Sequence, residues 1–188
     1  SFEWNWDAWD RRLVFVYKPV KENCTVKVEF TFDGTETISA RASAENRSVK
    51  TYLSFSMPQG LLFTVDGLKQ VTLPHLHGIG LNPGFYESGK QWSEPYPPAF
   101  CDFASVETDS GNAAFYMVPA SETFQPATIE TGAHESGKHG YYTHKMPVSL
   151  VPGGSWQSPR ICIVAGKSVY DAMRSYMKDS GILQYAPL

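Results

Sequence analysis

The residues with the most chemical potential in this chain are its histidines, His75, His77, His134, His139 and His144. In an extended segment His75-Leu76-His77 would point both rings to one face, the way a sheet offers imidazole nitrogens to a metal. Such a site also needs a carboxylate a few residues on, and Glu87 stands ten beyond His77 across a Gly-rich stretch. The expectation is therefore no metal, with His75 and His77 as the alternative. His134, His139 and His144 sit among Glu135, Ser136, Gly137, Lys138 and Gly140 and read as solvated loop residues. Gly166-Lys167-Ser168 imitates the end of a phosphate-binding loop, but Ile161 occupies the place of its first glycine. There is no Gly-x-Ser-x-Gly elbow, and Cys101 beside Pro98-Ala99-Phe100 has no nucleophile context. Paired acids for glycoside chemistry meet in space rather than along the chain, so Asp66, Glu87, Glu94, Asp102 and Glu107 stay unpaired at this level. No catalytic residue and no cofactor is assigned.

Aromatic residues carry more information. Tyr86-Glu87-Ser88-Gly89-Lys90-Gln91-Trp92-Ser93-Glu94-Pro95-Tyr96 mixes planar rings with carboxylates and amides, as a surface does that stacks on sugar rings while hydrogen-bonding their hydroxyls. Tyr86, Glu87, Trp92 and Tyr96 are the expected carbohydrate contacts, on an exposed loop. The competing reading is core packing beneath that loop. For Trp4, Trp6 and Trp9 packing is preferred, against the body of the protein or a further domain.

The elements that would position these residues are mostly strands. Cys24-Thr-Val-Lys-Val-Glu-Phe-Thr-Phe32 alternates apolar and polar residues with a period of two, which describes a half-buried β-strand with Cys24, Val26, Val28, Phe30 and Phe32 on one face. The same grammar predicts strands over 12–19, 35–44, 49–57, 61–65, 68–73, 99–108, 113–119, 123–130, 142–151 and 160–165. Asp33-Gly34, Asp66-Gly67 and the break 45–48 read as hairpin turns, making the first 75 residues an antiparallel meander. From Pro74 to Pro98 the pattern lapses into a long Gly- and Pro-rich loop. One helix is expected, near Ser168 to Ser180: Ser168 and Asp171 form a capping-box variant, Gly181 supplies the stop, and Val169, Met173, Tyr176 and Met177 make an apolar stripe. The class is thus all-β, a two-sheet antiparallel β-sandwich with one C-terminal helix.

With 188 residues and 42% hydrophobic content the chain can bury one full core. A net charge of -3 with interspersed signs and no basic stripe argues against nucleic acid. No apolar run approaches the roughly 20 residues that span a bilayer, which argues against a membrane partner. Cys24, Cys101 and Cys162 read as buried free thiols. Asn23-Cys24-Thr25 and Asn46-Arg47-Ser48 fit the glycosylation acceptor pattern without fixing a compartment, so cytoplasmic and secreted bacterial settings both fit. Ser1 in place of Met, and the apolar Ile182-Leu183-Gln184-Tyr185-Ala186-Pro187-Leu188 after the helix stop, suggest ends cut from a longer protein.

The stretch Ile38-Ser-Ala-Arg-Ala-Ser-Ala-Glu-Asn-Arg-Ser-Val-Lys-Thr-Tyr-Leu-Ser-Phe-Ser-Met-Pro58 resembles the strand, polar turn, strand and Phe-x-x-Pro ending of the galactose-mutarotase-like β-supersandwich that precedes a catalytic (β/α)8 barrel in several glycoside hydrolases. Gly153-Gly154-Ser155-Trp156, Ile161-Cys-Ile-Val-Ala-Gly166 and the helix ending Tyr176-Met-Lys-Asp-Ser-Gly181-Ile resemble its last strand and connecting helix. The resemblance implies a sandwich domain at 1–166 and a helix and linker at 167–188 leading to a following barrel domain. That barrel would hold the catalytic carboxylates, since active sites occupy the C-terminal face of such barrels. It implies a non-catalytic accessory domain of a glycoside hydrolase, its partners the barrel and carbohydrate. A free-standing carbohydrate-binding module and, third, a cupin-like metal-dependent β enzyme are the alternatives.

Overall fold

The computed structural model describes residues 1–19, 23–52, 55–56, 61–73, 78–96, 103–118, 127–166 and 168–179. Its strands are β1 (Phe2–Asp7), β2 (Arg12–Tyr17), β3 (Cys24–Phe32), β4 (Thr37–Asn46), β5 (Phe55–Ser56), β6 (Leu61–Thr64), β7 (Leu68–Leu73) and β8 (Ile79–Leu81). They continue with β9 (Gln91–Tyr96), β10 (Phe103–Thr108), β11 (Gly111–Val118), β12 (Ala127–Ala133), β13 (His139–Met146), β14 (Ser155–Gln157) and β15 (Arg160–Gly166). Two helices complete the set, α1 (Pro83–Glu87) and α2 (Val169–Asp179). The strands form two antiparallel sheets. The larger runs β1-β2-β3-β4-β15-β11-β10-β7-β8 with β14 added beside β4; the smaller runs β5-β13-β12-β9 with β6 also on β13.

The predicted all-β sandwich is therefore what the chain forms, and its core follows from the period-two pattern. Val71, Val106 and Phe115 of the larger sheet meet Ile129 and Tyr142 of the smaller one, with Leu73, Leu81, Tyr86 and Ala104 closing the layer. The outer face of the larger sheet is covered by α2, whose Ala172 and Tyr176 pack on Phe103, Ala114, Tyr116 and Cys162. Ser168 caps this helix as expected: its Oγ accepts from the Asp171 amide at 3.1 Å and donates to Asp171 Oδ2 at 2.7 Å. At the far end Tyr116 donates to Asp179 Oδ2 at 2.8 Å, and the Arg160 guanidinium lies 3.8 Å from the same oxygen. These contacts offset the unfavourable position of a carboxylate at a helix C-terminus. Burial, reinforced by the Asp179 carboxylate, pushes the Tyr116 phenol far above its usual range.

Several local expectations are corrected. Asp33-Gly34 is a hairpin turn: Asp33 Oδ1 accepts from the Thr35 amide at 2.8 Å, and Gly34 takes φ 83°. Asp66-Gly67 is not. β6 pairs with β13 and β7 with β8 and β10, so this turn carries the chain from the smaller sheet to the larger. Turn chemistry is the same for a hairpin and a crossing; here Val65 and Leu68 both bury between the sheets, which takes the chain across the end of the sandwich. The meander accordingly stops at β4, because β5 also joins the smaller sheet. The break at 45–48 is organised by Asn46, which is 1% exposed. Its Nδ2 donates to the Lys50 and Leu150 carbonyls at 2.7 and 2.9 Å, and its Oδ1 accepts from the Ser48 amide and hydroxyl. That amide is fully used and enclosed, which removes Asn46 as a glycosylation acceptor. Cys24 is half-buried and Cys162 buried, both free thiols, and burial raises the Cys162 thiol. Cys101 lies outside the described residues.

Candidate functional site

Three segments converge at one end of the sandwich. They are the crossing Thr64-Val65-Asp66-Gly67-Leu68, the helix α1 with Pro83 and Glu87, and the β12–β13 turn with Gly137, Lys138 and His139. Between them lies an open groove of about 750 Å³.

Each wall is held by ordinary local physics. Asn82 caps α1, its Oδ1 accepting from the Phe85 amide at 3.2 Å, and Pro83 supplies a preset φ at the first turn. Gly89 ends it at φ 69°, its amide donating to the Tyr86 carbonyl at 3.0 Å. Within this single turn Tyr86 points into the core and is 1% exposed, while Glu87 is exposed at the groove. Thr131 Oγ1 donates to the Tyr141 carbonyl at 2.6 Å, so the Tyr86 hydroxyl, 3.1 Å away, must be the donor to Thr131. Burial pushes the Tyr86 phenol up to about 12. The Tyr86 and Phe63 rings meet edge to face at 5.2 Å, lying against Gly140, where any Cβ would collide with both. The crossing is tied to the opposite wall by the Val65 amide, which donates to the Lys138 carbonyl at 3.0 Å. His139 begins β13 half-buried, its Nδ1 3.0 Å from Ser136 Oγ, and Ser136 Oγ also lies 3.3 Å from His134 Nδ1.

The groove thus presents two carboxylates, Asp66 and Glu87, beside the Lys138 ammonium and the His139 ring. Both acids are exposed to water. That setting suits hydrogen-bond acceptance from hydroxyls; a carboxylic acid that must keep its proton at neutral pH needs a dry one. The arrangement can hold a polyol by alternating acceptors and donors.

Among the described side chains of the sequence-predicted contacts, only Glu87 reaches this groove. Tyr86 is corrected from exposed loop residue to core residue and acts by anchoring α1. Trp92 stands in β9 opposite Thr131 and packs half-buried against the same core cluster, so it is not a freely presented stacking ring. Tyr96 ends β9 opposite Ala127, and its side chain lies outside the description. The long loop expected over 74–98 contains β8, α1 and β9. His75 and His77 fall outside the described residues; among those described, no three of His, Cys, Asp and Glu are placed to hold a metal. Asp66, Lys138 and His139 were not singled out by sequence as contacts. They come from segments 21 to 52 positions away from Glu87 that look like solvated turns, and no local signal joins them.

No protein-family model and no curated protein sequence matches this chain. Solved structures do. A GH36 α-galactosidase from Geobacillus stearothermophilus, in complex with raffinose, aligns with a TM-score of 0.55 at 14% identity, over 84% of this chain and 24% of its own. A provisionally assigned aldose 1-epimerase from Klebsiella pneumoniae aligns with a TM-score of 0.46 at 12% identity, over 95% of this chain and 58% of its own. The first likeness establishes a shared β-sandwich fold, and this chain spans about a quarter of that glycoside hydrolase.

Proposed function

We propose that this chain is a non-catalytic β-sandwich domain of a glycoside hydrolase, supporting a catalytic barrel elsewhere in the same protein and lending a carbohydrate-contacting edge to its cleft. The observation that carries the reading is the fold shared with an α-galactosidase of which this chain spans only 24%. The groove edge formed by Glu87, Asp66 and Lys138 is the contact surface, with Tyr86 fixing the helix that carries Glu87. Exposed carboxylates on an open groove favour hydroxyl recognition over bond cleavage, which suits an accessory role.

The test is a two-dimensional amide titration of the 188-residue chain with raffinose, with maltotriose as a control sugar. Shifts confined to Glu87, Asp66 and Lys138 at millimolar sugar, abolished in Glu87→Gln, are the expected result. Unchanged spectra at tens of millimolar of both sugars would refute the sugar contact. Hydrolysis of a galactoside by this chain alone would refute the non-catalytic assignment. Tight binding without the rest of the protein would favour a free-standing carbohydrate-binding module.

A further inference from the structure

The larger sheet extends well beyond the smaller one, and its far edge is β1. No residue of β1 or β2 belongs to any of the core clusters. The two faces of this wing differ sharply. One carries Arg12 among Asp7, Asp10 and Glu29, with Lys27 on Glu29 and Lys18 on Glu3, a solvated ion-pair lattice. The other carries Phe2, Trp4 and Trp6, which lie opposite Tyr17, Phe15 and Leu13 of β2. Phe2, Trp4 and Trp6 are 61%, 65% and 46% exposed. β1 holds no Lys, Pro or bulge, and its two charged residues, Glu3 and Asp7, lie on the polar face away from the aromatic stripe.

The backbone of the edge is in phase with the aromatic stripe. The Lys18 amide donates to the Ser1 carbonyl, so Ser1 and Lys18 form a hydrogen-bonded pair. Antiparallel alternation then turns the amides and carbonyls of Glu3, Asn5 and Asp7 toward β2, and those of Phe2, Trp4 and Trp6 toward open solvent. Among the described residues β1 pairs only with β2.

We propose that β1 is a self-recognition edge through which two copies of this chain join by a two-fold, antiparallel β1–β1 pairing centred on Trp4. This register sets Trp4 opposite Trp4 and Phe2 opposite Trp6, so the outward-facing amides and carbonyls bond each other and the aromatic stripes merge on one side of a continuous sheet. Charge selects it over its neighbours. Centred on Trp4, Glu3 meets Asn5 of the other copy. Moved by one step of two residues, the pairing puts Glu3 against Glu3 in one direction and Glu3 against Asp7 in the other, and like charges directly opposite are unfavourable. A closed two-fold needs this kind of self-complementarity. The three exposed rings offer on the order of 100 Å² each, so six across the dimer approach about half of the ~1,200 Å² of a small stable interface, the paired backbones adding the rest. Association is therefore concentration-dependent, in the micromolar range. It does not depend on the sugar reading above.

Sedimentation velocity of the 188-residue chain from about 1 μM to 1 mM tests it, with variants at Asn5, whose exposed side chain lies on the polar face. Asn5→Lys places an ammonium opposite each Glu3 and tightens the dimer; Asn5→Glu places like charges there and loosens it. Each change is on the order of threefold to tenfold in the dissociation constant, from two symmetric cross-strand pairs. Trp4→Pro removes an outward amide that β2 does not use and abolishes the dimer while the circular dichroism spectrum persists. A chain that stays monomeric to 1 mM overturns the proposal. So does a dimer that ignores both Asn5 changes, or that Asn5→Lys weakens, because the contact then lies elsewhere or in another register.

Discussion

Removing one oxygen atom from Tyr86 probes how α1 is held against the core. In Tyr86→Phe the ring keeps its place against Phe63 and Phe85, but the bond to Thr131 is lost. A buried neutral hydrogen bond contributes about 1–1.5 kcal/mol net, so the variant is destabilised by about that much at neutral pH. Thr131→Val costs more, about 2–3 kcal/mol, because it leaves the buried Tyr86 hydroxyl without an acceptor and the Tyr141 carbonyl without its side-chain donor. The double variant costs less than the sum by about 1 kcal/mol. Alkali supplies an independent reading. The unfolded phenol ionises near 10 and the folded one near 12. Below pH 10 both states hold the proton and the stability is fully present. Between 10 and 12 the unfolded state releases it first, so stability falls by up to about 1.4 kcal/mol per unit, roughly 2–3 kcal/mol in all. Tyr116 and Tyr141 shift upward too but remain in both proteins, so the difference between wild type and Tyr86→Phe isolates Tyr86. Urea denaturation at pH 8, 10, 11 and 12 measures both effects. Identical midpoints for wild type and Tyr86→Phe at pH 8, with parallel loss on going to pH 12, would refute the anchoring role.

Trp92→Ala loses a half-buried ring on the core and should cost roughly 2–3 kcal/mol, below the ~3–5 kcal/mol of a fully buried one, with cooperative thermal unfolding retained. Asn46→Ala orphans two carbonyls and the Ser48 amide in an enclosed corner and should cost about 2–4 kcal/mol by urea denaturation; Asn46→Asp, which keeps only the acceptors, should fail to restore it. Ser168→Ala removes the cap of α2 and should lower stability by about 1 kcal/mol, read as an earlier loss of the helical circular dichroism signal.

What the sequence disclosed was what depends on near neighbours. The alternation from Cys24 to Phe32 and the Ser168–Asp171 cap are local signals, and β3 and α2 form where those signals place them. Sheet membership was hidden, because Asp66-Gly67 has the same chemistry whether it returns a strand to its partner or sends it across the sandwich. β9 was hidden for another reason: Pro95 speaks against a strand, yet β9 is the edge of its sheet, where a missing amide is tolerated. Composition likewise misread Tyr86, since Gly and Pro around it describe a loop while burial is decided by Thr131 and Gly140, which lie 45 and 54 positions away in the chain.

The place of β15 bears on how the protein is made. This strand lies between β4 and β11, so Ile161 pairs with Ala40 on one side and Met117 on the other. A ribosome therefore exposes β1–β4 and β11 long before the strand that joins them exists. Until residue 166 emerges, the nascent sheet carries two open edges in its interior, the state most prone to pairing with the wrong chain. Closure waits on a contact spanning 121 residues, a separation that slows folding through the entropy of the loop it closes. Synthesis of this domain consequently favours slow growth temperatures or a chaperone that shields strand edges, and a premature stop within β15 leaves a sticky fragment rather than a smaller sandwich.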